Sequence, residues 1–415
     1  MRNKYWRANV IKKDTDEEVK GADRDKLLAQ MANSSRPFVY IGEFNPALAT
    51  PWRQEEKDWW ATHERLVEEV RKSDASPPLQ FDINAKSRLP QLVFYGDSIT
   101  EGWRGTSFGS IPSKGRMWKK DENIAIRKLF DETFGDDSPI WGKERALKSP
   151  LVLGISGSRT YDFLWRIENG EFPTSKLLDR DHKDDEEENK ESEGGNGDEE
   201  SNNIVFQLEK LERIYIVLMG TNNIGGGMLP NLAVKGMDAV GRTILKLHKT
   251  NFPNTPAAML FSELLPRKDD FRAVKMCPPR CKNETTKEPY KSFIPAIEKV
   301  NKALPDVVEG WRKDYPNSRI VLLSGSPVMG TPVKDGENEG ANDNEYEKTI
   351  SCGKEMFAID DQDEFDTYMP DRLHPNSKGY ELWSRCLYRG LEVVMDHAIS
   401  LKEGKEETTE VEDVT

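Results

Sequence analysis

Six apolar residues in an unbroken row, Ile214-Tyr215-Ile216-Val217-Leu218-Met219, constrain the fold of this chain more than any other stretch. A strand with one wet face alternates polar and apolar side chains, and this run does not. It must be buried on both faces, as in a parallel sheet covered by helices. Other short apolar runs recur at Gln91–Tyr95, Pro150–Leu153, Ala257–Phe261 and Arg319–Leu323. Helix-like patterns lie between or after most of them, at Glu122–Phe134, Leu232–His248, Ile294–Lys313 and Ser377–Ile399. A further helix is expected from Gln54 to Lys72, with Trp59, Leu66 and Val70 on one side, ended by Ser76-Pro77-Pro78. The alternation predicts a doubly wound α/β domain with a parallel sheet of about five strands. Such sheets bind ligands beyond the carboxyl ends of their strands.

The 415 residues suffice for one large domain with insertions or two modest ones, but only 36% are hydrophobic and 32% are charged. Much of the length therefore lies outside a core. Residues 1–55 read as a polar, partly disordered extension, and residues 56–400 as the folded domain. An acidic insertion at about 176–204, an acidic loop at about 335–350 and a tail at 401–415 are expected to be disordered and self-repelling. The net charge of -13 argues against nucleic acid and anionic membranes as partners. No run approaches the ~18 apolar residues of a membrane span. No apolar core follows Met1-Arg2-Asn3-Lys4-Tyr5-Trp6, so no signal peptide is predicted and a cytoplasmic location is favoured. Cys277 and Cys281 could begin a zinc site, but no second pair completes it. The four cysteines, with Cys352 and Cys386 standing apart, read as free thiols or one loop disulfide, and neither metal nor cofactor is expected. Asn33-Ser34-Ser35 and Asn283-Glu284-Thr285 fit a glycosylation pattern short enough to arise by chance.

The apolar run ending at Tyr95 leads into Gly96-Asp97-Ser98-Ile99-Thr100. A tight strand-to-helix corner exposes a serine hydroxyl and aims local backbone N–H groups at a reacting atom. Ser98 is therefore a candidate nucleophile, and the alternative is that Asp97 or Ser98 only caps the next helix. Acyl transfer also needs a base, an orienter for that base and donors for the oxyanion.

The base emerges by elimination among five histidines. His182 lies beside the acidic tract, His63 and His248 fall in amphipathic helices, and His397 is near the end of the last helix. Only His374 has a carboxylate, Asp371, three residues earlier and a helix start just after it. In a loop or single turn that spacing lets Asp371 reach Nδ1 and leaves Nε2 for Ser98. Gly154-Ile155-Ser156-Gly157-Ser158-Arg159-Thr160 and Asn222 follow the second and third strands and are candidate oxyanion donors; a tight turn and a helix cap are the alternatives. Gly105-Thr106-Ser107-Phe108-Gly109 matches the Gly-x-Ser-x-Gly elbow, but its flanks read as loop, so Ser107 is set aside.

These blocks resemble the GDSL, or SGNH, esterases and lipases: Gly96-Asp97-Ser98-Ile99, Gly154–Thr160, Gly220-Thr221-Asn222-Asn223 and Asp371–His374, in that order. The finer likeness is to the catalytic subunits of intracellular platelet-activating-factor acetylhydrolase. Gly157–Glu171, Trp59–Val67 and Leu264-Leu265-Pro266-Arg267 carry it. The resemblance spans about residues 57–400, apart from the insertions. It implies a three-layer α/β/α domain without metal, Ser98 as nucleophile, His374 as base and Asp371 as its orienter. It also implies an oxyanion hole of Ser98 N–H, Gly157 N–H and the Asn222 side chain. Ile99 replaces Leu, Asn223 replaces the Asp of many members, and Ser158 stands where the acetylhydrolase branch usually carries Asp. Substrate contacts and acyl length are therefore not carried over.

The sequence thus predicts a serine esterase on a small-molecule ester, with a short acyl group such as acetate expected. A lysophospholipase or lipase and a carbohydrate deacetylase are rivals on the same site. A non-catalytic binding protein of the same fold is the rival from another class.

Overall fold

A parallel sheet in the order β2-β1-β3-β4-β5-β6 forms the centre of the structure, a computed structural model of the chain. The described residues are 45–49, 56–76, 89–111, 120–141, 148–174, 211–269, 292–325, 349–352 and 367–403. The strands are β1 (Gln91–Gly96), β2 (Leu151–Gly154), β3 (Arg213–Leu218), β4 (Ala258–Ser262), β5 (Arg319–Ser324) and β6 (Thr349–Ser351). The helices are α1 (Lys57–Ala75), α2 (Ser98–Gly102), α3 (Lys120–Thr133), α4 (Thr160–Arg166), α5 (Thr221–Gly225), α6 (Pro230–Asn251), α7 (Ile294–Asp314) and α8 (Ser377–Glu403). Asn45–Thr415 forms one unit, and residues 1–44 lie outside the described residues.

Neighbouring side chains of each strand leave in opposite directions, so a two-sided sheet needs an apolar partner for both. Phe94 meets Phe130 and Phe134 on the α3 side. Tyr95 meets Phe163 of α4, and Tyr215 meets His248 of α6. Phe261 packs on Trp311 of α7, whereas Leu260 lies against Gly390 of α8. Helices α3 and α8 thus cover one face and α4, α6 and α7 the other, a three-layer α/β/α fold. All six residues of β3 are buried. Each such Ile, Leu or Val contributes about 1.5–3 kcal/mol of transfer free energy.

The five expected runs are all strands, but the sheet has six. β6 has a single buried residue, Ile350, between exposed Thr349 and Ser351. Three residues at a sheet edge carry too little hydrophobic pattern to stand out from the acidic loop before them. β6 pairs parallel with β5 through Leu323 and Ile350, and Cys352 just beyond it forms a disulfide with Cys386 of α8. The acidic insertion, most of the acidic loop and tail, Cys277, Cys281, His182 and both glycosylation patterns lie outside the described residues.

The strand order reverses direction at β1, which has β2 on one side and β3 on the other. In this topology the crevice at the carboxyl ends of β1 and β3 is the place for a ligand. Ser98 follows β1 and Asn222 follows β3.

Candidate active site

Gly96 closes β1 because nothing larger fits: a Cβ there would lie 2.0 Å from Thr100 Oγ1 and 2.6 Å from the Leu218 carbonyl. The chain then turns, and Asp97 caps α2 by accepting from Ile99 N–H at 3.0 Å. The cap is therefore real, but Asp97 supplies it. Ser98 Oγ is left for another partner, and it lies 2.9 Å from His374 Nε2. As the first residue of a helix, Ser98 also has an N–H with no carbonyl one turn back to accept it.

His374 sits in a turn built around Asp371. Oδ1 of Asp371 accepts from the N–H of Leu373 at 3.0 Å and of His374 at 2.7 Å. Its Oδ2 lies 2.6 Å from His374 Nδ1. An ionised carboxylate only accepts, so Nδ1 carries the proton and Nε2 faces Ser98 as an acceptor. Burial opposes the charge on Asp371, but the hydrogen bonds from His374 outweigh it and hold the carboxyl below its ordinary range. Arg372 adopts φ +64° inside this turn, and its carbonyl accepts from Lys268 N–H at 2.9 Å, tying the turn to the segment after β4. Glu122 of α3 accepts from Ser377 N–H at the start of α8. Tyr380, one turn on, donates to the Ile99 carbonyl at 2.6 Å and so ties α8 to α2.

Asn222 joins three strand ends. Its Nδ2 donates to Asp97 Oδ2 at 3.0 Å and to the Ser158 carbonyl at 3.1 Å. The loop after β2 turns at Ile155–Ser158, closed by Ser158 N–H on the Ile155 carbonyl at 3.1 Å. Gly157, the third residue of that turn, has φ +72°, a conformation costly for any residue with a side chain. Asp97 is fully buried, which pushes its carboxyl up to about 6 against the hydrogen bond from Ile99 and the nearby positive charges.

Ser158 is fully buried, and its Oγ accepts from Trp59 Nε1 and Arg166 Nη1, both at 3.3 Å. The Asp-to-Ser departure from the acetylhydrolase branch therefore acts on an internal network. Sequence reading missed that network. The Arg166 guanidinium is 0% exposed and donates to the carbonyls of Gly96 at 3.1 Å and Leu153 at 2.7 Å, the ends of β1 and β2. Glu171 neutralises it at 2.6 Å and lies 2.7 Å from His63 Nδ1. Burial works against that carboxylate, yet Arg166 and His63 hold it below its ordinary range.

The remaining sequence candidates fall elsewhere. Ser107 lies in a loop bridged to Ser110, and its Oγ is 3.1 Å from Ser156 Oγ. His63 and His248 are both buried, and His248 Nδ1 is 2.9 Å from Tyr215 OH. Burial pushes the His248 imidazole down to about 4, a neutral packing group. Among the described residues no group of three or more His, Cys, Asp or Glu side chains is placed to hold a metal. No helix among them is long and apolar enough to cross a membrane.

Among solved structures the chain is similar to a protein from Streptococcus pneumonia, described provisionally as a platelet activating factor. The two are 15% identical over 80% of this chain and 94% of the other, with a TM-score of 0.38. It is also similar to a catalytic mutant of an acetylxylan esterase from Geobacillus stearothermophilus, at 12% identity, 74% and 95% coverage and a TM-score of 0.33. No curated protein matches the chain. Residues 92–387 match the family described as GDSL-like Lipase/Acylhydrolase. That match covers most of the chain and all four blocks around Ser98, and the protein belongs to the GDSL-like lipase/acylhydrolase family of ester-bond hydrolases.

Proposed function

We propose that this enzyme hydrolyses short-acyl carboxylic esters, acetyl esters first, through an acyl-enzyme on Ser98. The observation that supports the reading best is the row Ser98 Oγ, His374 and Asp371, joined at 2.9 Å and 2.6 Å. Ser98 Oγ attacks the ester carbonyl while His374 Nε2 takes its proton. Asp371 holds the ring in the tautomer that allows this and stabilises the imidazolium. The tetrahedral oxyanion is received by the N–H groups of Ser98 and Gly157 and by Asn222 Nδ2. Both Asn222 amide hydrogens already have acceptors, so the oxyanion competes for the one now donated to the Ser158 carbonyl. The imidazolium then protonates the leaving alcohol. Water, deprotonated by His374, repeats the sequence on the acyl-enzyme and releases the acid. No step calls for a cofactor. The hydrolase domain in this reading spans about residues 56–400.

The acetyl preference comes from the likeness of Gly157–Glu171 to the acetylhydrolase branch. A serine-directed organophosphonate should label the native protein at Ser98 and leave Ser98→Ala unlabelled; equal labelling of both sinks the reading. p-Nitrophenyl esters of rising acyl length, with acetylated sugars beside them, test the substrate. A kcat/KM that rises with chain length favours a lipase, and a preference for sugar acetates favours a deacetylase.

A further inference from the structure

We infer that Glu101 is a positioning residue for the reaction, its carboxylate fixing Ser156, and through it the adjacent Gly157 N–H, relative to Ser98. The inference rests on the roles proposed above for Ser98 and Gly157. Glu101 lies three residues after Ser98 on the one-turn helix α2, so the two move as one body. It is fully buried.

Its oxygens collect donors from two separate loops. Oε2 accepts from Ser156 N–H and Ser156 Oγ–H, both at 2.7 Å, and from Phe108 N–H at 3.1 Å. Oε1 accepts from Gly109 N–H at 2.6 Å and Thr106 Oγ–H at 3.1 Å. A carboxylate offers about four lone-pair sites, so these five donors fill it. Among the described residues Glu101 is the α2 side chain that hydrogen-bonds to the β2 loop, and two carboxyl oxygens suit so many donors.

Ser156 is the second residue of the Ile155–Ser158 turn, whose third residue is Gly157. Holding both the N–H and the hydroxyl of Ser156 fixes its preceding peptide plane and its Cα–Cβ bond, from which the peptide carrying the Gly157 N–H extends. The Ser158 N–H bond to the Ile155 carbonyl restrains that peptide from its other end. On the other side Glu101 gathers the loop that contains Ser107, where Phe108 keeps the unusual φ of +48°. That loop is thus explained as a brace: Ser107 Oγ meets Ser156 Oγ at 3.1 Å from the far side.

A Gln at position 101 has one acceptor oxygen, and its amide hydrogens would face N–H donors. The turn would then relax by a fraction of an ångström. Displacements of about 1 Å in a catalytic group cost roughly 100-fold in rate, and loss of a whole oxyanion donor roughly 100- to 1,000-fold. The substrate ground state makes little use of this N–H, so binding should stay the same.

The test compares wild type, Glu101→Gln and Ser156→Ala in the full chain. Active sites are counted by organophosphonate incorporation at completion, and p-nitrophenyl acetate is the substrate. Glu101→Gln should lose about 10-fold or more in kcat per titrated site, with KM within about two-fold of wild type. Ser156→Ala, which removes one of the two bonds to Ser156, should lose less, about three-fold, again in kcat alone. An alkyl boronic acid, whose tetrahedral adduct places an oxygen where the oxyanion sits, should weaken in parallel with kcat/KM. Unchanged kcat per titrated site in Glu101→Gln overturns the inference, as does a loss confined to KM. Should Glu101→Gln not fold, Ser156→Ala decides alone, and wild-type kcat in that variant overturns the inference. Absence of phosphonate incorporation in wild type defeats the Ser98 reading instead, so the two failures are told apart.

Discussion

Asn222 Nδ2 lies 3.0 Å from Oδ2 of Asp97, the residue just before Ser98, and the same carboxylate caps the helix that Ser98 begins. One buried acid therefore aligns the helix of the proposed nucleophile and an amide proposed to receive the oxyanion. Asp97→Asn keeps the shape but offers one acceptor oxygen for two donors, so either the cap or Asn222 is lost. We expect kcat on p-nitrophenyl acetate to fall by about 10- to 100-fold, with Ser98 still titratable by phosphonate. Wild-type kcat in this variant would detach Asp97 from the reaction.

Asp97 also has a stability signature that is separable from the other carboxylates. Its carboxyl is raised from 3.8 to about 6 by burial, so the folded protein holds a proton there that the unfolded chain releases. Stability from this group is therefore present at low pH and lost as pH rises from about 4 through about 6, each pH unit in that window removing ~1.4 kcal/mol. The stability difference between wild type and Asp97→Asn, from urea titrations at pH 4 and pH 7, should favour wild type more at pH 4. Asp371 has the opposite sign: its depressed carboxyl contributes above its ordinary 3.8 and is lost only as pH falls further. A wild-type advantage that grows toward pH 7 would contradict the assignment.

Arg166 and Glu171 are both 0% exposed, so removing one partner strands a charge in a dry interior. Glu171→Gln should cost about 3–5 kcal/mol in urea unfolding. Glu68→Gln, which breaks a surface pair with Arg71, should leave the midpoint unchanged. Replacing Arg166 and Glu171 together by Met and Leu should cost much less than the single change; an equal cost would mean the side-chain shapes, not the charges, matter here.

The Cys352–Cys386 disulfide closes a loop of 34 residues that contains Asp371 and His374. By loop entropy alone, its loss should destabilise the fold by about 3–4 kcal/mol. Cys352→Ser should lower the unfolding midpoint, and a reductant should lower wild type to the same value while leaving the variant unmoved. A reductant that moves both equally would place the effect elsewhere.

The strands and the candidate serine were legible because each rests on a local signal. Two-sided burial leaves an unbroken apolar run, and Gly96-Asp97-Ser98 is contiguous. His374 followed from scarcity, since the chain has five histidines and only this one has both an acid three residues earlier and a helix start just after it. Glu101, Arg166, Glu171 and His63 were hidden for the converse reason. Each looks like an ordinary polar residue in sequence, and only the fold reveals that it faces inward. β6 was invisible because one buried isoleucine makes no pattern. At Asp97-Ser98 the sequence sets a helix cap against a nucleophile; in the fold Asp97 supplies the cap with one oxygen and meets Asn222 with the other.

Ser98 and His374 are separated by 276 residues. Among the described residues five of the six strands lie between them, and of the helices that cover the sheet only α8 follows His374. If the two act together as proposed, the site exists only once the sheet between them has assembled, and activity reports on that assembly as a whole. A truncation just before position 374 keeps all six strands and lacks the proposed base, so sheet formation and activity are separable in this chain.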